Sequence, residues 1–519
     1  MNGGVAELLE RTTQAYAGRP VALERAQQIA DRSDGTLRIA LAGMVESGKS
    51  TLLNAILGKE LAATDAGENT RIVTWYRYRR APRVTVHLSD GMRLIRPFTR
   101  DGDRVLFDLA GHDPEEIDRL VVDWPAEILK TVTFIDTPGT GSLTPTASAR
   151  TEAVLVPEHS VPDADAVIYL MRHLHEEDVR FLAALGESIG DTRAGAVVVG
   201  VLSRADEVGG GRIDSLLSAR TIAERYRSEP GVSRLVAGVM PVAGLLARAA
   251  RSFRDVEFEW LTCIARMERR ERAALLFSVG RFLGSRGDEV LEVGIRQQLL
   301  DRFGLYGIRI AAVLIDGGIE SAAGLAEELS RGSGFERLLA FIDEQYLRRA
   351  DQLTTSSAVG AVSALLREDP PPAGAEELEA MVERLQAEGL HGWVESRLLA
   401  ELRGSRHPLD PAELADARRL LGAEGLDAAG RLGLQVSGEQ PQLLRAAVEA
   451  AERWRSREAA ALDAADGTTA RIADVVARSA EHLLFSAAET GGSVRRLSLR
   501  TPEPRPGAGQ EADDERHAG

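Results

Sequence analysis

The nine residues Gly43-Met44-Val45-Glu46-Ser47-Gly48-Lys49-Ser50-Thr51 follow the pattern GxxxxGK[ST]. Glycines at such positions let successive backbone N–H groups curl around the α- and β-phosphates of a nucleotide. Gly43, Glu46, Ser47, Gly48 and Thr51 belong to that cradle. Lys49 reaches the β- and γ-phosphates as a compact point charge, and the Ser50 hydroxyl ligates Mg²⁺. Only three of the 63 basic residues are lysines: Lys49, Lys59 and Lys130. A chain that otherwise uses arginine keeps lysine where a bulkier planar fork fits poorly. The pattern alone also describes a glycine turn with a chance lysine. Here LRIALA precedes it as a strand and TLLNAIL follows it as an apolar-periodic helix, which is the context the chemistry needs.

Three further elements narrow a phosphate loop to a guanine-nucleotide one. Asp136-Thr137-Pro138-Gly139 ends the strand TVTFI as a DxxG element. Asp136 would hold Mg²⁺ through water, and the Gly139 amide would sense the γ-phosphate. Ser203-Arg204-Ala205-Asp206 follows AVVVGVL in the place of an [NT]KxD element. Asp206 can accept from guanine N1 and N2. Ser203 replaces Asn or Thr, and Arg204 replaces a lysine whose stem packs on the base; arginine can stack there too. The bland reading of that tetrapeptide is an ordinary helix N-cap. Met240 to Gly244 ends the last β-rich run and is placed to touch the base. The switch threonine must lie between Lys49 and Asp136. Thr70, in the polar stretch Asp65–Thr74, is the candidate for Mg²⁺ and the γ-phosphate; Thr74 competes but falls inside a strand. Lys49, Thr70 and Gly139 are thus the candidate catalytic groups, and Ser50, Thr70 and Asp136 the candidate metal ligands.

The elements that must position these groups are visible as a change of texture. Residues 5–32 carry two amphipathic apolar sets, with Pro20 suited to a helical first turn between them. From 37 to about 244, β-rich runs alternate with helical ones: 37–43, 72–78, 83–88, 131–139, 165–171, 196–203 and 234–243, with a further strand at 92–98. Continuous apolar runs suggest buried parallel strands in a βαβ arrangement. From 245 to 488 nearly every segment has helical periodicity, broken at Pro370-Pro371-Pro372 and between 404 and 441. The expected fold is an α/β P-loop GTPase domain followed by a long all-α bundle. Its parts are N-terminal helices (1–36), the GTPase domain (37–245), a helical neck and stalk (246–495) and an acidic, disordered tail (496–519).

Composition sets outer limits. At 519 residues, two to four domains are expected. The net charge of −16 argues against a nucleic-acid binder and against adhesion to anionic lipid by charge alone. One cysteine, Cys263, excludes a disulfide scaffold or a zinc ribbon. No apolar run has the length to span a bilayer, and the N-terminus has no signal-peptide pattern, so a cytoplasmic protein is expected. Membrane contact would then be peripheral. Candidate contacts are the apolar segment 305–315, which also reads as a core helix, Trp393, and the arginines Arg495, Arg496 and Arg500.

Taken together, GMVESGKSTLLNAILG (43–58), TDAGENTRIVTWY (64–76), DTPG (136–139) and LSRADEVGGGRID (202–214) resemble the dynamin superfamily. The likeness is to its bacterial dynamin-like proteins, especially the actinobacterial isoniazid-inducible type. The resemblance implies GTP/GDP and Mg²⁺ as ligands, slow hydrolysis of GTP to GDP and phosphate, and stimulation by assembly. It also implies a GTPase-domain dimer, a second dynamin-like protein as a possible partner, and membrane remodelling at the inner face of the cell membrane. The N-terminal helix would pack on C-terminal helices such as 440–490, and coiled-coil-like helices would form the stalk. The sequence departs from the eukaryotic pattern at Val45 and Glu46, where Gln-Ser serves cation binding and catalysis. No glutamine follows Gly139, where the chain reads Thr140-Gly141-Ser142, and Arg71 is a minor candidate for transition-state charge. A nearly inactive structural partner of a second dynamin-like protein is the main alternative. A ribosome-associated GTPase fits the charge poorly, and Asp206 weighs against an ATPase.

Overall fold

The computed structural model describes residues 3–33, 36–62, 72–101, 104–107, 109, 111–139, 151, 155, 163–284, 291–371, 373–404, 407–434 and 440–490. The expected sites Thr70 and Arg71, the segment Thr140-Gly141-Ser142, the C-terminal arginines and the acidic tail lie outside these residues.

Two helices open the chain, α1 (Gly3–Ala15) and α2 (Pro20–Ser33), the second beginning at the proline. A mixed nine-stranded sheet follows, in the order β11-β10-β9-β1-β8-β2-β7-β3-β4. Its middle is parallel: β1 (Leu37–Gly43) lies between β8 (Val132–Asp136) and β9 (Ala166–Met171), with β10 (Val198–Leu202) and β11 (Val239–Pro241) beyond β9. All six residues of β9 and all five of β10 are buried, because helices cover both faces and only unbroken apolar runs satisfy that position.

On the other side of β8 the pattern changes. β2 (Val73–Tyr78) pairs antiparallel with β8 and parallel with β7 (Ile117–Trp124), and β3 (Arg83–Leu88) and β4 (Arg93–Arg96) continue antiparallel. One face of this extension is apolar, with Tyr76, Val84, Val86, Leu120 and Val122 buried. The alternate residues face the other way and are mostly polar.

Several boundaries differ from the sequence expectation. The run 234–243 contributes only Val239–Pro241, because residues 230–235 form turns whose backbone groups bond locally, such as Leu235 N–H to Val232 C=O. The run 92–98 splits: β4 ends at Arg96, and Phe98–Asp101 (β5) pairs with Arg104–Phe107 (β6) as a separate ribbon. β7 was not anticipated, since IDRLVVDW mixes three charges into its apolar run.

No strand follows Pro241 among the described residues. The helical half is not held apart from the sheet. Phe335, Leu338, Phe341, Tyr346 and Trp393 join the sheet's own apolar cluster, and the Tyr346 hydroxyl donates to the Val197 carbonyl at 2.8 Å. Leu202, Ala205 and Leu246 share a second cluster with Phe303, Ile308 and Ala311. Val5, Leu8 and Leu9 of α1 pack among Ala358, Val362, Leu378 and Val382. The expected packing of α1 on residues 440–490 is therefore not what the cluster contains. The helices Gln440–Asp463 and Gly467–Thr490 instead form a hairpin, burying Trp454, Ile472 and Val476 with Leu398, Leu420 and Leu421. Arg455 of its first helix donates to Glu481 and Asp474 of its second at 2.8 to 2.9 Å.

Candidate functional site

β1, β8, β10 and β11 run parallel, so their C-terminal ends open at one edge of the sheet, where ligands of such folds bind. Gly43 closes β1 at φ +138, and a Cβ there would lie 2.1 Å from the Leu170 carbonyl oxygen. No side chain fits. Gly48, at φ +90, caps α3 (Lys49–Leu57), whose first turn presents its amides to the loop. Glu46 also takes a left-handed conformation, φ +61, unusual outside glycine, and its side chain is exposed.

Lys49 is buried at 8 % exposure, with Nζ donating to the carbonyls of Gly43 and Met44, each at 3.0 Å. Burial pushes its pKa down to about 8, against the pull of Asp136. Asp136 is pushed up to about 6 by burial, resisted by Lys49 and by the hydrogen bond from Ser50 Oγ to Oδ2 at 2.9 Å. Each group is thus held toward its neutral form by desolvation, while the other's charge partly restores it. Asp136 Oδ1 and Ser47 Oγ are buried with no hydrogen-bond partner among the described residues. An orphaned carboxylate oxygen beside a serine hydroxyl and a lysine is a donor set that suits Mg²⁺ with a phosphate.

The DxxG element is fixed to the loop. Thr137 Oγ1 donates to the Leu41 carbonyl at 2.8 Å, and Thr151 Oγ1 to the Pro138 carbonyl at 2.7 Å. Gly139 passes so close that a Cβ would lie 2.6 Å from Val45 Cα. Val45 itself is 51 % exposed, so an apolar side chain stands where a water-orienting group is absent. Thr74 lies inside β2, paired opposite Asp136, and its hydroxyl turns to the Ile72 carbonyl.

A cleft of about 230 Å³ continues from Ser47, Gly48 and Thr51 to Ser203, Arg204 and Asp206. Ser203 Oγ donates to the Met171 carbonyl at 3.3 Å, tying the end of β10 to β9. Arg204, at φ +48, donates to the Glu46 carbonyl at 3.1 Å and pairs with Glu207 at 3.3 Å. It therefore bridges the two motifs across the cleft mouth. Asp206 is 7 % exposed, and burial pushes its pKa up to about 6. Val242, Gly244 and Leu245 complete the wall, so the loop after β11 reaches the cleft as its position suggested.

Three residues behind Asp206 and its loop had no signal in the sequence. The helix Val293–Asp316 breaks at Gly304 (φ +62, ψ 171), where a Cβ would lie 3.9 Å from Asp206 Oδ2. Tyr306, two residues on, feels Asp206: burial first, then that carboxylate, raises its phenol to about 12. Arg309 donates to the carbonyls of Gly210, Gly211 and Leu276. Trp393 is buried at 6 % exposure under Arg193, which removes it from the membrane-contact candidates. In 305–315, Ile308, Ala311 and Ala312 are buried, and Val313 alone is strongly exposed.

The family model described as Dynamin family matches residues 39–204. The chain is 41% identical over 491 residues to the isoniazid-induced protein IniC of Mycobacterium tuberculosis, covering 93% of this chain and 98% of that one. A bacterial dynamin-like protein of Nostoc punctiforme is 29% identical over 153 residues, 27% of this chain and 20% of its own. A solved structure from an oligomerised bacterial dynamin pair aligns over 75% of this chain and 78% of its own, at 14% identity and TM-score 0.31. The loops around Lys49, Asp136 and Asp206 lie within or next to the matched segment, and the chain belongs to the dynamin family, with the bacterial dynamin-like proteins of the isoniazid-induced type.

Proposed function

We propose that this chain binds GTP in the cleft from Lys49 to Asp206, hydrolyses it slowly to GDP and phosphate, and uses the cycle to remodel a membrane. One observation carries the reading: a single cleft joins the phosphate loop to a buried carboxylate, Asp206, facing the base end. An ionised Asp206 would accept from guanine N1–H and N2–H, whereas adenine offers no such pair. Lys49 would leave the two carbonyls that now hold it and neutralise the β- and γ-phosphates. Ser50 and Asp136 would hold Mg²⁺, which supplies positive charge at the same phosphate oxygens, with Thr70 as a proposed third ligand. The Gly139 amide would report the γ-phosphate to the rest of the chain. Slow turnover follows from Val45, which offers no group to orient the attacking water.

The division into N-terminal helices (1–36), GTPase domain (37–245), neck and stalk (246–495) and tail (496–519) is part of the same proposal. So is dimerisation of GTPase domains across the nucleotide. Among the described residues, no helix is long and apolar enough to cross a membrane. Contact would then be peripheral, at the inner face of the cell membrane. The exposed pair Phe277 (70 %) and Val279 (46 %) of the helical half replaces Trp393 as the candidate contact. Val45 at the mouth favours a second reading, a nearly inactive partner that lends its helices to another dynamin-like protein.

Steady-state hydrolysis with and without liposomes tests both. Turnover of GTP but not ATP, lost in Lys49→Ala, supports the first. Binding of GTP without turnover under any condition leaves only the second.

A further inference from the structure

The polar face of the sheet extension is not covered by a helix of its own. It opens onto α2 and the helix Ala350–Glu368, leaving a groove of about 930 Å³. Strand register sorts its residues into rows. Arg77, Asp123 and Arg83 form one, Trp75, Val121, Thr85 and Ile95 the next, and Arg119, His87 and Arg93 the last. Arg25 and Arg32 reach in from α2, and Arg38 from β1. Seven arginines and a histidine line the groove against two carboxylates, in a chain whose net charge is −16.

Arg25 pairs with Glu368 at 2.7 Å, Arg32 with Asp165 at 3.4 Å and Arg38 with Asp163 at 3.7 Å, whereas the arginines of the sheet extension are less fully compensated. The fully buried Asp123 is shared by the guanidiniums of Arg77, Arg79 and Arg83. Arg119 has only its neighbour Asp118, at 3.7 Å, and Arg93 has no carboxylate partner among the described residues. The guanidiniums of Arg38 and Arg119 lie 4.8 and 5.1 Å from the Trp75 ring centroid, gripping the indole between them. The crowding is felt locally: His87 is held below the usual imidazole range by burial, then by Arg119 and Arg93. Arg38 is lowered by burial, then by Arg32.

A second observation is independent of charge. Thr85, in the middle row, is 7 % exposed, and its Oγ1 has no hydrogen-bond partner among the described residues. A buried hydroxyl without a partner costs roughly 1–3 kcal/mol, and valine would fill the same space in a strand without that cost. Thr85 lines the groove, and a ligand acceptor that reached its hydroxyl there would satisfy it.

We infer that this groove is a second anion site, distinct from the nucleotide cleft, which takes a small molecule carrying several phosphate groups. Planar guanidinium forks on two sides match phosphate oxygens bidentately. Arg93 and Arg119, the least compensated, take the terminal phosphates, and Thr85 Oγ donates to a bridging or inner oxygen. The volume falls in the range of small-ligand sites. The phosphates can belong to a soluble polyphosphate or to a phosphorylated lipid headgroup presented at a membrane.

The test uses full-length protein saturated with GDP and Mg²⁺, so that the nucleotide cleft is filled. Titration calorimetry with inorganic tripolyphosphate should show one further site, weakening as salt rises. Arg93→Ala with Arg119→Ala should lower that affinity by about tenfold or more. Thr85→Val should lower it several-fold, with melting unchanged or raised. No heat with tripolyphosphate, or equal affinity in the double variant, overturns the inference. Displacement of nothing but acidic polypeptide also overturns it. Inositol trisphosphate and vesicles holding phosphatylinositol bisphosphate then separate the sources. Vesicle retention lost in Arg93→Ala identifies a headgroup, and competition by the soluble phosphate alone identifies a free ligand.

Discussion

Two parts of one sheet handle charge in opposite ways. At the C-terminal edge, a single lysine is buried against two carbonyls with the buried carboxylate of Asp136 acting on it, and a second buried carboxylate, Asp206, stands further along the edge. On the face of the extension, arginines crowd each other around Trp75 and one shared aspartate. Under the proposed function, the first region concentrates a point charge for a nucleotide and leaves negative groups for a metal and a base. The second spreads forked cations over five strands and α2, and under the inferred anion site leaves positive charge for a ligand. The difference shows why the chain keeps lysine at one position while using arginine nearly everywhere else: depth and compactness decide it in the cleft, reach and planarity in the groove.

The largest expected effect tests the cleft's demand for a point charge. Lys49→Ala should reduce GTP turnover by about 10²-fold or more. Lys49→Arg should restore little of it, because the fork cannot occupy the space between the Gly43 and Met44 carbonyls. Wild-type rates in Lys49→Arg would erase the contrast between the two regions. Next in size, Asp206→Asn should cut the preference for GDP over ADP by about tenfold to a hundredfold, read by competition binding.

Asp206 also predicts a pH dependence. Its folded pKa of about 6 lies above the ordinary 3.8, so the folded, nucleotide-free chain favours the protonated acid. That contribution to stability is present below the ordinary value and is lost as pH rises through about 6. Guanine binding needs the ionised form, so GDP affinity should fall about fourfold at pH 5.5 relative to its plateau. ADP affinity should move less, and a flat GDP profile would remove Asp206 from the base site. The smallest effect is expected at the exposed pair Phe277 and Val279. Phe277→Asp should shift unfolding free energy by less than about 0.5 kcal/mol, since the ring is 70 % exposed. It should nevertheless reduce liposome co-sedimentation that survives high salt; retention unchanged would place membrane contact elsewhere.

The two regions also differ in how far the sequence discloses them. The cleft is written in contiguous letters, because a turn around phosphates, a strand end and a helix start are local events. Ser50 meets Asp136, and Gly48 and Asp206 line one cleft, so contiguous motifs also come together in space. The groove is built from every second residue of β2, β3, β4 and β7, and the last of these was not seen in the sequence at all. Its rows exist only once the register is known. The same reason hides Gly304, Tyr306 and Arg309, which reach Asp206's loop from about 100 residues away by tertiary packing. The partners of α1 were missed because several helical segments offered similar apolar faces, and periodicity does not choose among them.

The break at Gly304 and the grip of Arg309 on the glycine turn after Asp206 have a mechanical meaning. Arg309 holds the helix to the loop that follows Asp206, and the break at Gly304 lies beside the same aspartate, so a shift of the helix would be felt there. Linkage makes such an effect run both ways with the same free energy. If guanine shifts the helix, a load on the helix shifts the grip on guanine. If the proposed nucleotide cycle holds, the helix would serve as a strain gauge for the cleft, its load read out as a change in the rate of nucleotide exchange.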